Sequence, residues 1–97
     1  MKRYQINFSG RVQGVGFRFT SKQVARSFEV VGTVQNLPTG SVRMVLEGAR
    51  LEIDRFIESV CESTHGSVSN IEIQESPSSN CSDGAATRPL IGFEIID

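Results

Sequence analysis

The sequence lacks most of the residue patterns that carry catalysis or metal binding in small proteins. Its 97 residues contain no tryptophan, one histidine and two cysteines. Cys61 and Cys81 form no CxxC pair, and no His/Cys/Asp cluster has the spacing of metal ligands. The single His65 lies in a predicted turn, where a capping or surface role is more typical than acid–base catalysis. The sequence therefore predicts neither a dedicated metal site nor a histidine-based catalytic set.

Charge and hydropathy exclude further classes of partner. The formal net charge of −1 argues against a broad electrostatic grip on nucleic acid or on an anionic membrane. No apolar run approaches the roughly 18 residues that a membrane-spanning helix needs. The basic residues Lys2 and Arg3 are followed by alternating residues rather than by the apolar stretch of a signal peptide. Together with the low cysteine count, these features predict a reducing, cytoplasmic setting.

Hydrophobic periodicity predicts a single α+β domain over residues 1–97. Alternating apolar residues indicate strands over 3–10, 30–36, 41–47, 67–74 and 90–96. Apolar spacings of three and four indicate helices from 17 or 18 to 28 and over 49–62. The short turn at 37–40 makes the second and third strands a hairpin, and the polar segment 75–88 is predicted to be a surface loop. This order is that of the ferredoxin-like split βαβ sandwich, with two helices on one face of a four- to five-stranded, mainly antiparallel sheet.

The same periodicity predicts which side chains face the core. The inward residues of the first helix are expected to be Phe17, Ser21, Val24, Ala25 and Phe28, and those of the first strand Tyr4, Ile6 and Phe8. In the last strand, Ile91, Phe93 and Ile95 alternate in the same way. Thr20 and Gln23 have the spacing of a capping box, which would start the first helix two residues later. Cys61 falls on the apolar stripe of the second helix, where a buried, inert thiol is expected, whereas Cys81 is predicted to be exposed.

A glycine-rich turn between the first strand and the first helix is the main candidate for a functional site. It reads Gly10-Arg11-Val12-Gln13-Gly14-Val15-Gly16-Phe17-Arg18. Glycine allows backbone N–H groups to converge on one point, and a helix N-terminus carries positive partial charge. An anion cradle with Arg18 beside it and an ordinary tight turn both fit these residues. The turn lacks the Lys-Ser/Thr ending of a nucleotide P-loop, and the third strand lacks the aromatics of an RNA-binding sheet.

This turn resembles the signature of the acylphosphatase family. A second segment, Val31-Gly32-Thr33-Val34-Gln35-Asn36-Leu37-Pro38-Thr39-Gly40-Ser41-Val42, resembles the block in which an asparagine ends the family's second strand. The family often has an aromatic residue where this chain has Thr33, and Gly-Pro where it has residues 64–67. The 75–88 loop is also long and polar. These departures affect the expected rim and last strand, but neither Arg18 nor Asn36.

The resemblance implies hydrolysis of the carboxyl–phosphate bond of an acyl phosphate. By position, Arg18 would grip the phosphate and Asn36 would hold the attacking water. Backbone amides of Arg11, Val12, Gln13, Gly14, Val15, Gly16, Phe17 and Arg18 would complete the phosphate site. No metal or organic cofactor is implied, and inorganic phosphate would be both product and competitor.

Simpler roles for these residues remain open. Arg18 and Arg11 could be solvated surface residues, and Asn36 could merely start an Asx-type turn before Pro38. Phe17 is expected to be a core residue beneath the turn. The alternative function is a non-catalytic acylphosphatase-like module that binds a phosphorylated ligand or a protein. The absence of a fused domain from these 97 residues favours an enzyme, and a monomer without nucleic-acid or membrane partners is expected.

Overall fold

The computed structural model describes residues 3–64, 66–76 and 92–96. In chain order the elements are β1 (Arg3–Arg11), α1 (Phe17–Ala25), β2 (Val31–Asn36), β3 (Val42–Glu47), α2 (Arg50–Ser63), β4 (Ser67–Ser76) and β5 (Phe93–Ile96). Neither α1 nor α2, the helices of these ranges, is long and apolar enough to cross a membrane.

The strands form one mixed sheet in the order β4-β1-β3-β2-β5. All neighbouring pairs are antiparallel except β2 and β5, which are parallel. Two helices pack on this sheet, so the predicted ferredoxin-like α+β fold is confirmed. Because β1 and β2 are both antiparallel to β3, which lies between them, their carboxyl ends lie at the same edge of the sheet.

One hydrophobic core lies between the helices and the inner face of the sheet. Its fully buried residues include Ile6, Phe8, Val34, Val42, Met44, Leu46, Ile53, Phe56 and Val60. Tyr4, Ile6 and Phe8 alternate into this core, as predicted, because successive strand residues point to opposite faces. The helical spacing of Ile53, Phe56 and Val60 places one stripe of α2 against the same layer.

The predicted start of α1 at 17 is confirmed, whereas its predicted end and the capping box need correction. The helix ends at Ala25 rather than at 28, because residues 26, 27 and 28 donate to carbonyls three positions back, at 3.0–3.3 Å. This tighter turn still leaves Phe28 in edge contact with Phe56, with ring centroids 6.1 Å apart. The capping box is wrong, since Gly16 occupies the N-cap and makes no side-chain cap hydrogen bond.

Other expectations are partly revised. Cys61 is half-buried rather than buried, and Ile95 is 37% exposed although it alternates with Phe93. Strand β4 continues to Ser76, so the first residues assigned to the 75–88 loop belong to a strand. The rest of that loop, with Cys81, lies outside the described residues, as do His65 and the predicted strand positions 90 and 91.

Candidate functional site

A cavity of about 220 Å³ lies where the β1–α1 turn faces the end of β2. It is lined by Val12, Gly14, Gly16, Phe17, Arg18, Phe19, Asn36 and Ile95. The end of β2 therefore lies next to the glycine-rich turn. Arg18 and Asn36, separated by a helix and a strand in sequence, share one small cavity.

Backbone conformation explains the glycines of the turn. Gly14 has φ 75° and Gly16 has φ 76°, a region that side chains with a Cβ rarely adopt. A Cβ added at either position would meet nothing within 4 Å, so the requirement is conformational rather than steric. The carbonyl of Gly16 accepts a 2.9 Å hydrogen bond from the Thr20 amide and thereby starts α1.

The N-terminus of α1 is suited to an anion. The first turn of a helix leaves N–H groups without intrahelical acceptors and carries positive partial charge. No acidic residue occupies this first turn of α1, so no carboxylate of the helix compensates that charge. Arg18, the second helical residue, is half-buried and lines the cavity, which adds a full positive charge. The local field at this edge of the sheet therefore favours a phosphate-like group.

Buried contacts fix the start of the helix. Phe17 is 1% exposed, and its ring lies 5.0 Å from that of Phe8, tilted by 60°. The hydroxyl of buried Ser21 donates to the Phe17 carbonyl at 2.7 Å. These contacts confirm Phe17 as the expected core residue beneath the turn. Because Phe17 is held by the core, the neighbouring Arg18 is kept at the cavity.

Asn36 is the last residue of β2 and pairs with Val42 of β3. The turn that follows is closed by backbone bonds, from the Leu37 amide to the Ser41 carbonyl at 2.8 Å and from the Gly40 amide to the Leu37 carbonyl at 3.1 Å. The asparagine is therefore held between a paired strand and a hydrogen-bonded turn. Asn36 is half-buried and lines the cavity beside the glycine-rich segment.

The side chain of Gln13 connects the two halves of the site. Its Nε2 atom donates to the carbonyl oxygens of Leu37 and Ser41, both at 2.8 Å. These acceptors lie 24 and 28 residues away in sequence. The sequence analysis missed this contact, because nothing in the local pattern identifies two distant backbone carbonyls as its partners.

The predicted cradle residues divide into two groups. Among the described residues, the cavity lining includes Val12, Gly14, Gly16, Phe17 and Arg18 but not Arg11, Gln13 or Val15. Arg11 is exposed at the end of β1, and Val15 packs against the core. Thr33, where the family pattern departs, pairs with Val45 and Glu94 and is likewise absent from the lining.

Two apolar residues at the cavity were missed. Phe19 is 62% exposed and Ile95 is 37% exposed, and both line the cavity with Arg18. A usable signal existed for Phe19, since a large apolar residue stands off the core stripe of α1 directly after Arg18. The pairing of β5 with β2 was needed to place Ile95 there.

Among the described residues, the thiol of Cys61 and the acidic side chains lie outside the lining of this cavity. In the described ranges, no group of three or more His, Cys, Asp or Glu residues could hold a metal ion. Burial raises the pKa of the Cys61 thiol, with a smaller contribution from the negative charge of Glu62. That cysteine lies on α2 and does not line the cavity.

Comparison with solved structures points to one family. A crystal structure of acylphosphatase from Bacillus subtilis superposes with a TM-score of 0.81 at 31% identity, with all of both chains covered. A crystal structure of T. kodakarensis HypF gives a TM-score of 0.77 at 28% identity, and the match covers all of this chain but 12% of that one.

Sequence comparison agrees with the structural match. An acylphosphatase of Lactobacillus gasseri is 37% identical over 75 residues, which are 75% of this chain and 82% of the relative. The family model described as Acylphosphatase matches residues 4–84, so the chain belongs to the acylphosphatase family.

Proposed function

We propose that the protein hydrolyses acyl phosphates to a carboxylate and inorganic phosphate, with Arg18 and Asn36 as its catalytic residues. The observation that carries this proposal is that residues of the glycine-rich turn, Arg18 and Asn36 line the same cavity. Membership of the acylphosphatase family and the name of the Lactobacillus gasseri relative support the same reaction.

The phosphoryl group would bind at the turn. Backbone amides of the turn residues that line the cavity would donate to its oxygens, helped by the N-terminus of α1. The guanidinium of Arg18 would bind two of those oxygens, because its planar fork matches their geometry. Phosphoryl transfer depends mainly on positioning and charge stabilisation, so these groups supply the larger part of what the reaction needs.

Asn36 would position the nucleophile. Its amide both donates and accepts hydrogen bonds, so it would orient a water toward phosphorus without acting as a base. The water oxygen forms the new P–O bond while the bond to the acyl oxygen breaks. The departing carboxylate needs no general acid because its pKa is low, and a phosphate oxygen of the substrate would accept the proton of the water. The proposed chemistry thus requires neither a metal nor an organic cofactor.

The apolar rim would receive the acyl group. Phe19 and Ile95 present exposed apolar surface in the cavity that holds Arg18. An acyl phosphate with its phosphate in the cradle would extend its organic part along the cavity wall. This rim favours apolar acyl groups over charged ones.

The test is phosphate release from benzoyl phosphate with a chelator present. Arg18→Ala and Asn36→Ala should each lower kcat by at least about 100-fold, as expected when a group that stabilises or positions the transition state is removed. Arg26→Ala and Asn70→Ala change exposed residues of the same types outside the cavity lining and should retain activity. Inorganic phosphate should compete with substrate.

Two results would count against this assignment. Full activity in either site variant removes that residue from the mechanism. Turnover that depends on added metal contradicts a site built from amides, Arg18 and Asn36.

A second candidate is a non-catalytic phosphate-binding domain. The match to a small part of the HypF chain favours it, because it places a similar domain within a much longer protein. Phosphate binding without hydrolysis of benzoyl phosphate would support this alternative.

We also propose a single-domain monomer in a reducing, cytoplasmic compartment. The free thiol of Cys61 agrees with such a compartment. Sedimentation of the purified chain and cell fractionation test these two assignments. A stable dimer or a secreted product would contradict them.

A further inference from the structure

We infer that Gln13 is a positioning residue that sets the distance between the phosphate cradle and Asn36. This role rests on the proposed function, and it gives a part in that function to a residue outside the cavity lining. Gln13 lies between Val12 and Gly14, which both line the cavity. Its amide nitrogen donates to two carbonyls of the turn that directly follows Asn36. One side chain therefore joins the segment that would bind phosphate to the segment that would hold water.

The geometry of the contact is that of a cross-link between two loops. Both hydrogens of one amide nitrogen are used, on acceptors at equal distances of 2.8 Å. The acceptors, Leu37 and Ser41, are the same two residues that close the turn through the Leu37 amide. A shift of Gln13 would therefore act on the closed turn as a unit and reach Asn36 through one peptide bond.

Among the described strands, no direct pairing replaces this link. Strands β1 and β2 are separated by β3 in the sheet, so their ends share no ladder hydrogen bonds. The glycine-rich turn must reach past the start of β3 to approach Asn36. Gly14 and Gly16 have positive φ, which favours glycine at both positions. Glycine has no Cβ, so it restricts the backbone of this segment less than other residues do. The two hydrogen bonds of Gln13 therefore restrict the motion of the turn where its glycine-rich backbone is least restricted.

The main variant is Gln13→Met, which keeps the length of the side chain but donates no hydrogen bond. Misplacement of reacting groups by about 1 Å costs on the order of 100-fold in rate, so kcat for benzoyl phosphate should fall about 10- to 100-fold. The inhibition constant of inorganic phosphate should change less than about 3-fold, because the cradle amides and Arg18 remain. Gln23→Met, at an exposed glutamine of α1, is the matched control and should behave as the wild type.

A double-mutant cycle separates positioning from general stability. If Gln13 acts through Asn36, Gln13→Met should lower the kcat of an Asn36→Ala protein by less than about 3-fold, since the water-holding group is already absent. Losses that multiply in the double variant would overturn the inference. So would a Gln13→Met protein that unfolds at a lower temperature yet keeps its kcat. Gln13→Leu, a shorter apolar side chain that also donates no hydrogen bond, serves if the Met variant does not fold.

A second readout is independent of turnover. Backbone amide order parameters of Leu37, Thr39 and Gly40 should fall in Gln13→Met from about 0.85 to below about 0.7, toward the range of flexible backbone. If the wild-type protein does not hydrolyse benzoyl phosphate, the proposed function fails, but this measurement still decides the role of Gln13. Unchanged order in the turn would refute the bridge whatever the activity.

Discussion

Replacement of Phe19 by alanine should change substrate preference more than catalysis itself. Phe19 is 62% exposed and lines the cavity beside Arg18, but its ring is not part of the proposed phosphate or water site. An apolar acyl group held there would cover part of this ring. The Phe19→Ala protein should therefore lose affinity for the transition state in proportion to the apolar area of the acyl group.

The size of the effect follows from the exposed area. A phenylalanine side chain of roughly 150–250 Å² that is 62% exposed leaves on the order of 100 Å² available for contact. A benzoyl ring that covers about 40 Å² of it, and loses a similar area of its own, gains about 2 kcal/mol at roughly 25 cal/mol per Å². The Cβ that remains in the variant would retain part of that contact, so the loss should be about 1–1.5 kcal/mol, or roughly 5- to 12-fold.

The assay compares kcat/KM for benzoyl phosphate and acetyl phosphate. A methyl group covers far less surface, so the acetyl substrate should lose no more than about 2-fold, and the preference for benzoyl phosphate should fall about 3- to 6-fold. Leu51→Ala is the control, because Leu51 is equally exposed at 63% but lies on α2 outside the cavity lining. Equal losses for both substrates, or none for either, would refute an acyl-binding rim.

Three further outcomes concern stability and reactivity. Glu62→Lys should raise the free energy of unfolding by about 0.5–1 kcal/mol in urea denaturation, because the last turn of α2 has no basic residue and Glu58 lies one turn earlier; a loss would contradict this. Gly16→Ala should lower that free energy by about 1–2 kcal/mol and reduce the Tm, since the left-handed N-cap is strained for alanine; an unchanged Tm would refute the strain. In a Cys81→Ser background, iodoacetamide should modify Cys61 more slowly than free cysteine at pH 8, with the rate rising toward higher pH, because burial raises its thiol pKa and lowers the thiolate fraction. Faster alkylation would contradict it.

The sequence predicted those features that local periodicity determines. Alternation in β1 placed Tyr4, Ile6 and Phe8 in the core, since strand geometry gives no other choice once one face is buried. The end of α1 was less predictable. Phe28 continues the apolar stripe and does contact Phe56, so the pattern persists after the backbone has tightened into shorter-range hydrogen bonds.

The site was predictable only in part because its remaining contacts are tertiary. Arg18 and Asn36 stand in recognisable motifs, and their common cavity follows from the strand order. The partners of Gln13 are backbone carbonyls, which carry no residue identity in a sequence. The exposure of Ile95 depends on β5 being an edge strand, where Val34 is its neighbour on one side and no described strand lies on the other.

The topology also explains why such a site needs a bridge. With β3 between β1 and β2, the two strand ends lie about 10 Å apart, twice the spacing of roughly 4.8 Å between neighbouring strands. In-line attack requires a water about 3–3.5 Å from the phosphorus, so the phosphate cannot sit above the end of β1 while Asn36 holds the water at the end of β2. The glycine-rich turn must extend across the start of β3 toward β2 to shorten that gap. Gln13 donates to the carbonyl of Ser41, the residue immediately before β3 begins. A hydrogen bond at this point holds the turn in its position across the start of β3.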